Sequence, residues 1–94
     1  MVVGLATVSL RLHEAATLKD KRSVVKRIVA RLRARFNVAV AEVDDHDDHG
    51  VATLGIAVVS TEGAHARAML EKAVGAIERE RLDVDLFAYR VELL

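Results

Sequence analysis

The sequence predicts a ferredoxin-like α+β sandwich: a four-stranded antiparallel sheet with both helices on one face, in the order β-α-β-β-α-β. Three observations predict it. Strand-like and helix-like periodicities succeed one another in that order along the 94 residues. The link between the two middle strands, Asp44 to Gly50, is too short for a parallel crossover, which takes a dozen or more residues, so a doubly wound parallel sheet is disfavoured. Right-handed crossovers in both strand–helix–strand halves then leave the two helices on the same side.

The elements follow in order. Val2 to Leu12 alternates, with Val2, Gly4, Ala6, Val8, Leu10 and Leu12 on one face and Val3, Leu5, Thr7, Ser9 and Arg11 on the other. After the connection His13–Ala16, Thr17 is the expected N-cap of a helix, with Asp20 at its third position. Val25, Ile28, Val29, Leu32 and Phe36 form one helical stripe, and Asn37 is the expected stop. Val38–Val43 reads as a second strand. Asp44–Gly50 reads as a turn, because Asp, His and Gly fill it. Val51–Ser60 is a third strand with Ala52, Leu54, Ile56 and Val58 inward, and it forms a hairpin with the second. Ser60 or Thr61 is expected to cap a helix reaching about Arg81, with the stripe Ala66, Met69, Leu70, Ala73 and Ile77. Asp83–Leu93 is the last strand. The whole of 1–94 is read as a single domain.

Composition excludes several classes. More than half the chain is hydrophobic and there is no proline, which fits a folded core rather than a disordered or collagen-like chain. Without cysteine there are no disulfides, zinc-thiolate sites, iron–sulfur clusters or thiol nucleophiles. No apolar run is long enough for a transmembrane helix, and Met1–Leu10 lacks the basic start of a secretory signal, so a cytoplasmic location without membrane contact is expected.

The 14 basic and 14 acidic side chains cancel, and the cancellation hides a strong dipole. Between Thr17 and Arg35 there are eight basic residues and one acidic, a net +7 that leaves −7 for the rest of the chain. Lys19, Arg22, Lys26 and Arg33 fall within an arc of about 60° on the side away from the apolar stripe, and Arg27 and Arg31 form a second row. Lys19, Lys21 and Arg22 occupy the first turns, where cations oppose the helix dipole and an external anion would be favoured. Lys19, Lys21, Arg22, Lys26 and Arg33 are therefore the expected nucleic-acid-binding residues. Their partner would be RNA or the ribosome, and the contact would be phosphate-directed and salt-dependent. A solvated basic face is the plainer alternative.

With only two helices, one sheet face has no cover. RNA-recognition modules of this topology stack bases on aromatics of the two central strands, here the first and third, and neither carries one. That face instead presents Val3, Leu5 and Thr7 with Val51, Thr53, Ala57 and Val59, an apolar patch that suits a partner. Sheet-on-sheet homodimerisation is expected, with Val3, Leu5, Thr53 and Val59 in the interface. Glu42 to His49 holds five carboxylates and two imidazoles, which makes His46, Asp47 and His49 weak metal ligands at best, since the spacing matches no EF-hand loop. No phosphate loop or nucleophile elbow is present, so neither catalytic residues nor a cofactor nor a small-molecule substrate are expected.

Across nearly the whole chain the sequence resembles the YlxP-like family, a bacterial domain of unknown function. The resemblance rests on Val3-Gly4, on Thr17-Leu18-Lys19-Asp20-Lys21-Arg22, and on Arg31-Leu32-Arg33 leading into Arg35-Phe36-Asn37-Val38. It continues through Ala41-Glu42-Val43, Asp47, Ala52-Thr53-Leu54-Gly55 and Ser60 with Ala64-His65. It implies the ferredoxin-like fold. Members are often encoded beside transcription and translation factors, which implies a ribosome- or RNA-related role. It carries over no catalytic residue. Where the family often has an aromatic in the turn, this chain has Asp48-His49. Glu42 and Asp47 are the family's other polar pair, and Glu42 is placed to bridge to Lys21 or Arg22 across the sheet end.

Overall fold

A computed structural model describes residues 1–79 and 84–94. The elements are β1 (Val2–Leu12), α1 (Leu18–Arg35), β2 (Ala39–Asp44), β3 (Val51–Ser60), α2 (Gly63–Glu78) and β4 (Val84–Leu93). All strand pairs are antiparallel and the sheet order is β2-β3-β1-β4, so β1 and β3 are central as expected. The expected boundaries Arg81 and Asp83 lie outside the described residues.

The alternation of β1 sorts its side chains as the sequence implies. Ala6, Val8, Leu10 and Leu12 are buried, with Ala52, Leu54, Ile56 and Val58 beside them on β3. Val25, Ile28 and Leu32 of α1 and Ala66, Leu70, Ala73 and Ile77 of α2 close the same core from above. Gly4 is where α2 comes closest. A methyl group there would meet Leu70 Cδ1 at 2.9 Å and Ala66 Cβ at 3.3 Å, so the missing side chain lets the helix lie against β1.

Helix α1 starts with the anticipated capping box. Thr17 Oγ1 accepts the Asp20 N–H at 3.1 Å, and Asp20 Oδ2 accepts the Thr17 N–H at 3.2 Å. Helix α2 starts later than expected, with Glu62 at the N-cap and no side-chain cap. Ser60 Oγ works upstream of the helix instead: it accepts the Glu62 N–H at 3.2 Å and lies 3.0 Å from His65 Nδ1. The hydroxyl thus shapes the turn into the helix rather than its first N–H groups. Among the described residues no helix is long and apolar enough to cross a membrane.

Candidate nucleic-acid interface

Helix α1 does not present all its cations alike. Lys21 stands one turn before Val25 and so extends the apolar stripe toward the sheet end. Its side chain is 1% exposed. Its ammonium donates to the Asp45 carbonyl at 2.6 Å and the Val51 carbonyl at 3.1 Å, and lies 2.8 Å from Glu42 Oε2. The last contact is an ion pair rather than an aligned hydrogen bond, for Glu42 Oε2 is buried with no donor directed at it. Lys21 therefore corrects the sequence-based expectation: its donors are consumed inside the protein, and phosphate cannot reach it. The Glu42–Lys21 bridge is the alternative that the sequence offered.

Lys19, Arg22 and Lys26 are exposed, and among the described residues they have no ion-pair or hydrogen-bond partner. With Arg33 they border a groove of about 680 Å³ between α1 and β2, whose floor includes Val29, Val40 and Ala41. Arg33 is also exposed, and one of its guanidinium nitrogens donates to the Val40 carbonyl at 2.9 Å. That carbonyl lies on the unpaired edge of β2. The next carbonyl on that edge, Glu42 O, meets His46 Nε2 at 3.2 Å. Two side chains thus cover a sheet edge that would otherwise invite strand pairing.

The acidic turn is held by local bonds. Asp45 adopts φ 59°, a left-handed conformation that Asp tolerates better than most residues. Its carbonyl takes Lys21 and its Oδ2 accepts the Thr53 hydroxyl at 2.6 Å. His49 Nδ1 donates to the Ala15 carbonyl at 2.9 Å, and Asp48 Oδ1 accepts the Gly50 N–H at 2.8 Å. His46 and His49 are therefore turned to different backbone carbonyls. Among the described residues no group of three or more His, Cys, Asp or Glu side chains is placed to hold a metal ion, and His46, Asp47 and His49 are not brought together as ligands.

The uncovered sheet face departs from expectation at one residue. Thr53 does point to that side, but it is 7% exposed because Asp45 folds over it. Val3 and Leu5 are half-buried and Val59 is 65% exposed. The sequence reading missed two features of this face. One is a hollow of about 420 Å³ lined by Leu5, Thr7, Ala39, Ala41, Val43, Gly55 and Ala57. The other is Phe87, half exposed on β4 with the Arg11 guanidinium 5.2 Å from its ring centre. The search for aromatics looked only at the central strands, and β4 is an edge.

The fold and the groove define a class: a small ferredoxin-like sandwich that carries a cation-lined groove beside its first helix. The chain belongs to the family described as protein of unknown function DUF503, whose sequence pattern matches residues 3–91. It is 31% identical over 77 residues to "Uncharacterized protein YlxP" of Bacillus subtilis (strain 168), covering 82% of this chain and 84% of the relative. The family resemblance read from the sequence therefore holds. Among solved structures, the chain is similar to a de novo designed protein with a ferredoxin fold, at TM-score 0.64 and 19% identity. That likeness covers 98% of this chain and 86% of the other, and it bears on the fold alone.

Proposed function

We propose that this protein is a phosphate-binding module that associates with RNA or the ribosome in the cytoplasm through Lys19, Arg22, Lys26 and Arg33. The observation that carries the reading is the set of three adjacent cations, Lys19, Arg22 and Lys26, left without acidic partners along an open groove. Solvated surface lysines and arginines usually find a carboxylate when a chain has as many acids as bases, and here the acids lie elsewhere. A nucleic-acid backbone would supply the missing anions at a spacing that a helix face can follow. The reading is of a binding module rather than an enzyme. The apolar hollow contains no carboxylate or imidazole, and the one acid beside the groove, Glu42, is engaged by Lys21.

Co-pelleting with ribosomes from a native lysate tests this, at about 50 and 300 mM salt, a range over which phosphate contacts weaken steeply. The expected result is pelleting at low salt that is lost at high salt and lost in Arg22→Glu/Lys26→Glu. A protein that stays in the supernatant at both salts, or a double variant that still pellets, overturns the reading.

A further inference from the structure

We infer that the uncovered sheet face is the interface of a homodimer in which Phe87 of each copy enters the hollow of the other. The face carries both halves of the contact. Its β2–β3–β1 side is the hollow, made shallow-walled by Ala39, Ala41, Gly55 and Ala57. Its β4 side carries the protruding ring of Phe87. The pairing register sets their levels. Asp44 pairs with Thr53, Thr53 with Ser9, and Ser9 with Ala88, so these four residues lie on one row across the sheet. Val43 and Phe87 are their chain neighbours and hence stand at matching levels on the two outer strands. The register shift between Ser9 and Leu10 is what turns Phe87 onto this face.

Consider a two-fold axis parallel to the strands, midway between β3 and β1 and in the plane between two copies. It exchanges left and right but keeps level, so it lays β4 of one copy over β2 of the other. Phe87 then faces Val43, the 53% exposed residue at the mouth of the hollow. The contact is made twice, as a closed two-fold interface requires. Charge agrees with the placement. Arg11 has no carboxylate partner among the described residues, and the same rotation brings it to within two residue steps of the level of Asp44 and Asp45. Area agrees too. Four strands about 4.8 Å apart and six to eleven residues long give roughly 500–600 Å² per copy, or about 1,000–1,200 Å² in all, near the threshold for a stable interface. The β2 edge is blocked by Arg33 and His46, which favours face packing over edge pairing there.

This inference goes beyond the phosphate-binding reading and does not depend on it, since its readout is mass. In sedimentation equilibrium the chain should have twice its 10.3 kDa. Val43→Lys and Phe87→Glu alter exposed side chains, so both should fold, as circular dichroism would verify, and each alone should halve the mass. Mixed one to one, they should regain the dimer, because one of the two contacts becomes Lys against Glu and the other stays native. A monomeric native chain, a dimer that survives either variant, or a mixture that stays monomeric overturns the proposal. The surviving dimer would point to pairing along β4 instead.

Discussion

At Lys21 a lysine is spent on holding the chain together. Three segments meet at its ammonium: α1, the end of β2 through Glu42 and Asp45, and the start of β3 through Val51. Replacing it with Met keeps most of the volume but leaves the Glu42 carboxylate, only 16% exposed, without its counter-charge. The expected loss is about 3 kcal/mol in urea unfolding, in the range for a buried pair broken on one side. Adding Glu42→Leu to Lys21→Met should recover most of it, because the stranded charge is gone; no recovery would mean that the carbonyl bonds, not the ion pair, carry the effect. Lys19→Ala, by contrast, should stay within about 0.5 kcal/mol of the native chain. This difference was legible in the sequence. Lys21, Val25, Ile28 and Leu32 stand at i, i+4, i+7 and i+11, so Lys21 sits on the apolar stripe, while Lys19 and Arg22 do not. Counting charge in the first turns concealed it. The burial of Thr53 was not legible, because it depends on the left-handed backbone at Asp45 folding a carboxylate back over the sheet.

At the scale of elements, periodicity decided most of what the structure contains, since the strand and helix faces follow from which side must be apolar. The ends were harder. Thr17 and Asp20 marked the start of α1 because the capping box is a local, reciprocal pattern. Ser60 misled for α2 because the same hydroxyl serves a turn equally well. The two register shifts, near Asp44 and near Ser9, leave no periodic signature, and both bear on the uncovered face. The contact between α2 and β1 yields a separate prediction. Gly4 faces Val58, Ala66 and Leu70 at 2.9–3.3 Å from where a Cβ would stand. Gly4→Val should force α2 away from the sheet and cost about 1–3 kcal/mol, the usual penalty of overpacking a filled core. Adding Leu70→Ala should then cost less than Leu70→Ala does in the native chain, since it opens room for the new side chain. Simple additivity in thermal unfolding would show that the helix yields without strain.

For the whole molecule, the charge separation read from the sequence takes a definite place. The basic side of α1 flanks the edge of β2, and four of its cations border one groove. If each pairs with one phosphate, the logarithm of the RNA binding constant should fall against the logarithm of salt with a slope of about 3, at 0.7–0.9 per contact. Counting Lys21, as the sequence alone suggested, would raise the slope toward 4. Fluorescence anisotropy with a labelled RNA, titrated across salt, separates these values. Neutralising the groove one residue at a time, with Lys19→Gln, Arg22→Gln or Lys26→Gln, should lower the slope by nearly one each. Lys72→Gln on α2 and Arg90→Gln on β4 should leave it unchanged, since these exposed cations lie away from the groove. The controls matter because a general attraction between polyanion and protein would respond to every removed charge alike. Equal effects from Lys72 and Lys26 would therefore dissolve the groove as a site and leave only a surface dipole. A slope that responds to the groove residues alone would tie affinity to the place where α1 and the β2 edge come together.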